Sequence, residues 1–135
     1  ITNRARYITY DEQGHTNPYP KWANNVAPGT NSLSILPIGC DGILYPPNSF
    51  HRDILEIDLF LKLTPKADDL WFKSMSFLNN TQCMRATTPC NIPITLVGSQ
   101  KFSLSKKNVR LDHNKDQWNA LIKHYNFKTP NHLNS

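Results

Sequence analysis

The chain has 135 residues, 39% of them hydrophobic and 19% charged, with a net charge of +5 and ten prolines. That is one domain's worth of chain with the composition of a loop-rich globular protein, which excludes intrinsic disorder. No run approaches the roughly eighteen apolar residues of a membrane span, and no basic-then-apolar leader is present.

The opening segment, RARYITYDEQGHTNPYPKW, reads as a strand around 5–10, a turn at Asp11–Gly14, and an irregular stretch. Tyr7, Tyr10, Tyr19 and Trp22 crowd together beside Arg4 and Arg6, as either a sugar-stacking surface or a packing surface for a neighbouring domain. Residues 23–32 are loop by composition. Two short strands are expected near 33–36 and 41–45, interrupted by Pro37 and Gly39. Gly39 and Gly42 bracket Cys40–Asp41, so the backbone there can take positive φ or pass close to a ligand. Tyr45–Pro46–Pro47 forces a stiff, extended exit.

A helix is expected from Ser49 as N-cap, carrying Ile54, Leu55, Leu59 and Phe60 inward. A second follows, with Thr64 as N-cap and Pro65 as its first residue. In this helix Trp71, Met75 and Leu78 form one apolar stripe, with Leu70 and Phe77 beside it. Asp68 and Asp69 fall in or near its first turn, where the helix dipole favours their ionised forms while their mutual repulsion opposes it. Residues 82–86 and 92–97 read as strands. A final helix over 115–126 places Trp118, Leu121, Ile122 and Tyr125 on one face, with Asn114 and Gln117 as a capping box.

The charge excess is local. Residues 100–135 hold seven Lys/Arg against two aspartates, and the rest of the chain balances. This basic tail, 101–128, is either a solvated face or a surface for anionic lipid headgroups. Its charges are not interleaved with aromatics, so no nucleic-acid partner is expected. Cys40, Cys83 and Cys90 lack metal-ligand spacing and read as reduced thiols of a cytoplasmic protein, with a Cys83–Cys90 bridge as the alternative. Phosphate-binding loops, nucleophile elbows and zinc-protease motifs are absent from the sequence.

Two segments taken together, GCDGILYPPNSFH and LTPKADDLWFKSM, resemble the C-terminal half of bacterial family 2 glycosyltransferases of the GT-A fold that act in polysaccharide and lipopolysaccharide biosynthesis. The resemblance runs over about residues 4–80 and implies an α/β fold, α+β in isolation, with a short mixed sheet and about three helices in a single domain over 1–135. It implies Asp69 as catalytic base, Asp68 as the residue that orients the acceptor or holds Asp69 in place, and Gly39, Asp41, Gly42, Tyr45 and Trp71 on the substrate side, Trp71 bracing the helix from behind. His51 is the one residue that could approach a metal. No Asp-x-Asp motif occurs here, so the chain is expected to be an acceptor-side piece, inactive alone and without a cofactor of its own. The full-length enzyme would use Mg or Mn, a UDP-sugar donor (galactosyl transfer is the guess) and a saccharide or lipid-linked acceptor, at the inner face of the membrane. The alternative is a non-catalytic carbohydrate- or protein-interaction module.

Overall fold

The computed structural model describes residues 1–90 and 112–128. In chain order these form β1 (Thr2–Tyr7), β2 (Asn31–Ser32), β3 (Ile35–Ile43), α1 (Ile57–Leu63), α2 (Asp68–Leu78), β4 (Cys83–Met84) and α3 (His113–Tyr125), with 3-10 turns at Tyr19–Lys21 and Arg52–Leu55. The class is α+β with three helices. In place of one mixed sheet there are two antiparallel pairs, β1 with β3 and β2 with β4. The expected strand over 92–97 and the first part of the basic tail, 101–111, lie outside the described residues. Among the described residues, no helix is long and apolar enough to cross a membrane.

The two strands expected over 33–45 are a single strand, β3. Among the described residues its only ladder partner is β1, with Arg4 opposite Ile38, Ala5 opposite Pro37 and Arg6 opposite Leu36. The Ile8 N–H donates to Ser34 O, and bonded pairs alternate along an antiparallel ladder, so Pro37 falls at a non-bonded pair with its nitrogen turned away from β1. A proline there removes no ladder bond. Toward its end the register shifts: Thr2 faces Ile43, so the four residues Gly39–Gly42 lie opposite the single Asn3. This bulge contains Gly42 at φ +90, a conformation that costs glycine little. β1 itself begins and ends three residues earlier than expected, whereas the Asp11–Gly14 turn forms, Gly14 N–H donating to Asp11 O at 3.0 Å.

The expected helix at Ser49 does not form. Ser49 is buried and its hydroxyl donates to Pro46 O at 2.5 Å, closing the corner after the two prolines. The His51 ring accepts the Asp53 N–H and caps a 3-10 turn, and α1 starts only at Ile57. Ile54, Leu59 and Phe60 pack inward, but Leu55 is 83% exposed. Thr64 closes α1 rather than capping α2: its hydroxyl donates to Phe60 O. Helix α2 therefore begins at Asp68, with Ala67 at the N-cap and no side-chain cap.

Helix α2 is the centre of the molecule. Leu70, Trp71 and Met75 are buried as the spacing predicts, with Ser74 on the same arc, yet so are Lys73 and Ser76 outside it. The two serines satisfy their hydroxyls on the carbonyls three residues back, Trp71 O and Lys73 O. The three tryptophans, Trp22, Trp71 and Trp118, are all buried in the main core with their indole N–H groups satisfied by Asn17 O, Ile54 O and Tyr10 Oη.

Helix α3 forms over nearly the expected span, but Asn114 and Gln117 are not a capping box. Gln117 instead accepts the Lys66 N–H at 3.0 Å, tying α3 to the corner before α2. The N-cap is Asp112, held at φ 50, whose carboxylate accepts the Tyr19 N–H at 2.9 Å. Asp112→Ala loses that charge-assisted bond and places alanine in left-handed backbone. It is expected to lower the unfolding free energy by about 2 kcal/mol in urea denaturation.

A carboxylate site at the start of α2

The register that tolerates Pro37 also sets the site. Gly39, two residues further along β3, turns its N–H away from β1 and donates it to Asp69 Oδ1 at 3.0 Å. The carboxylate is thus held from two sides, by the first turn of α2 and by the bulge of β3. The approach is so close that a Cβ on Gly39 would lie 2.8 Å from Asp69 Oδ1. Glycine is required at 39 for proximity, whereas Gly42 is required for its positive φ and has open space around it. Gly39→Ala is expected to expel Asp69 from its hydrogen bond and to change its titration, since both the burial that raises its pKa and the N–H that opposes it are set by that contact. Carboxyl 13C titration by NMR measures this.

Asp69 is half-buried and its pKa is pushed up to about 6, first by loss of solvent, then by the charge of the exposed Asp68, with the Gly39 N–H opposing both. Other polar groups sense it. Burial raises the Tyr45 phenol and the Asp69 charge raises it further. The Tyr19 phenol is raised by burial, relieved by Arg6, and raised again by Asp69. The Cys40 thiol is raised by burial, with Arg4 opposing and Asp41 adding. A carboxyl that titrates near neutrality, anchored by backbone on rigid elements, can take a proton from a bound hydroxyl and release it again at physiological pH.

Of the residues singled out in the sequence, Asp69 and Gly39 touch, Asp68 stands beside them at the surface, and Asp41 and Gly42 share the bulge. The Asp41 carboxylate is 5% exposed and paired with Arg4 at 2.5 Å, so its charge is already answered. The Tyr45 ring packs on Phe50 and Phe72, with centroids 4.6 and 5.8 Å away, and its buried hydroxyl has no hydrogen-bond partner among the described residues. Trp71 does brace α2, but at 2% exposure it offers no face to a substrate and belongs to the core rather than the binding residues. His51 hydrogen-bonds to Met75 O through its backbone, nearly two turns along α2 from Asp69, and its ring faces Asp53 and Tyr125. Among the described residues, no three His, Cys, Asp or Glu side chains gather to hold a metal ion.

The early aromatic cluster divides. Trp22 is core, whereas Tyr19 stays half-buried, edge-on to Trp22 and with the Arg6 guanidinium 4.8 Å above its ring. Arg85 drew no attention in the sequence, since a lone arginine in a short strand has no spacing signal. Comparison of the chain with protein-family models, with curated proteins and with solved structures finds no match.

Proposed function

We propose that this chain is the acceptor side of an inverting glycosyltransferase in which Asp69 is the catalytic base. The observation that carries the reading is the Gly39–Asp69 contact: a half-buried carboxylate, fixed by a backbone N–H at 3.0 Å and titrating at about 6. In the transfer, Asp69 takes the proton of the acceptor hydroxyl as that oxygen bonds to the anomeric carbon, and the bond from that carbon to the nucleotide diphosphate breaks on the opposite face. Asp68 keeps the proton affinity of its neighbour high. The donor is a UDP-sugar, with galactosyl transfer the first to try, and the acceptor a saccharide or lipid-linked glycan at the cytoplasmic face of the membrane. The described residues do not fit the divalent metal that the resemblance implies, so no step is routed through one.

The test is transfer from a panel of UDP-sugars by the full-length gene product. Asp69→Asn should lower kcat by about 10²–10⁴-fold, the usual worth of a positioned base, and Asp68→Asn far less. Near-parental transfer by Asp69→Asn would sink the base assignment. No transfer by the parent from any nucleotide sugar would sink the class.

A further inference from the structure

On the β1 side of the ribbon lies a polar hollow of about 270 Å³ whose lining includes Arg4, Arg6, Arg85, Asp41, Asn3 and Asn24. Three guanidiniums meet a single carboxylate there. Asp41 answers Arg4, and among the described residues Arg6 and Arg85 have no acidic partner. Each instead spends one donor on a backbone carbonyl, Arg6 on Trp22 O at 3.1 Å and Arg85 on Val26 O. Those bonds fix the two side chains in place. They also leave Arg85 Nε buried with no hydrogen-bond partner among the described residues. A buried guanidinium N–H without an acceptor costs free energy that an arriving anion would recover.

We infer that this hollow binds the phosphate or diphosphate group of a ligand. Fixed guanidinium forks and amide donors around a small, positively charged cavity match the several acceptor oxygens of a phosphate, and the volume suits that group rather than a whole nucleotide. A neighbouring hollow of about 410 Å³ shares Arg6 and Asn24 and continues past Tyr19 and Trp22. The remainder of the ligand lies along it, against the Tyr19 ring. Two kinds of molecule present this chemistry, a nucleoside diphosphate and a lipid diphosphate. The inference does not depend on Asp69 being a base.

The test follows the arginine Nε–Hε signals of the 15N-labelled protein at constant, low ionic strength while pyrophosphate, UDP or geranyl diphosphate is added, with citrate as a carboxylate control. Signals of Arg6 and Arg85 should shift saturably with the diphosphates. Arg6→Gln and Arg85→Gln should each weaken binding about tenfold, while Arg52→Gln, on the exposed 3-10 turn, leaves it unchanged. UDP binding at least about tenfold tighter than the other two supports the site and names a nucleotide as its source; the reverse order supports it and names a lipid diphosphate. Equal affinities support a site for the diphosphate alone. Absence of any Nε shift overturns the inference, and so does citrate binding as tightly as pyrophosphate. Unchanged affinity in folded Arg6→Gln overturns it too, and that variant decides the matter if Arg85→Gln fails to fold.

Discussion

Asp69→Asn is expected to produce a protein that is more stable than its parent at pH 7 and, on the proposed reading, to lower kcat of the full-length protein by about 10²–10⁴-fold. The Asp69 pKa in the folded chain is about 6, above the ordinary 3.8. A carboxyl raised on folding contributes stability at low pH that is lost as the pH rises from about 4 through 6, because the folded state then has to give up a proton it holds more tightly than the unfolded chain does. Above pH 6 the ionised carboxylate is a constant burden. Asparagine removes that burden and keeps an oxygen for the Gly39 N–H. With the partial exposure of the group discounted, the gain at pH 7 is about 1–2 kcal/mol, and at pH 4 it is near zero. A helix-capping aspartate gives the opposite result, since its replacement lowers stability at neutral pH. Urea denaturation of both proteins at pH 4 and pH 7 reads the difference. Higher stability with lower kcat is the combination expected when a fold carries a strained charge for use.

Lys73→Met is expected to abolish a rise in stability with alkaline pH. Lys73 lies in the middle of α2 at 1% exposure, its Nζ donating to Leu33 O at 2.5 Å and standing 5.7 Å from the Phe77 ring. No carboxylate among the described residues pairs with it. Burial pushes its pKa down to about 8, with Cys83 opposing. Below pH 8 both folded and unfolded chains carry the proton, and folding bears the full cost of burying the charge. Between pH 8 and 10.5 the folded chain sheds the proton while the unfolded chain keeps it, so stability rises by about 3 kcal/mol. Tyr10, pushed up to about 12, and the buried Cys83 act in the other direction over part of that range, so the quantity to measure is the difference between parent and variant. At pH 7 methionine should be the more stable by about 1–2 kcal/mol, because loss of the bond to Leu33 O offsets part of the gain. A difference that does not change between pH 8 and 10 would show that Lys73 keeps its proton in the folded chain throughout that range, as it does in the unfolded chain.

The acid pair at the start of a helix, the apolar stripe of Leu70, Trp71 and Met75, and a final helix around Trp118 follow from local spacing and are readable from the residues alone. Spacing along one chain says which side chains share a face, and that information survives folding. It does not say what lies opposite. Thr64 had the identity of an N-cap but closes the helix before it, because the backbone turns at Pro65–Lys66 and α3 supplies Gln117 to that turn. Pro37 argued for a broken strand, and only the pairing of β3 with a single partner makes it harmless. Lys73 sits at a position that helical periodicity leaves open, and it is buried where β3 packs on α2, its Nζ reaching Leu33 O just before that strand.

The same division holds for the site. Asp69 and Gly39 could each be picked out in the sequence, one as an acid and the other as a flexible link. Their contact, thirty residues apart, depends on the parity of the β1–β3 ladder, which leaves the Gly39 N–H unspent, and on the bulge that brings it to the first turn of α2. The elevated pKa is likewise a tertiary quantity, since it comes from lost water around the carboxylate. The three arginines around one hollow come from β1 and from the residue after β4, far apart in the chain, and have no common pattern in it. What the sequence by itself determined was therefore the kind of chemistry available and the elements that carry it. The tertiary structure decided which groups meet and how much solvent they keep, because those depend on distance and burial between segments that the order of residues does not encode locally.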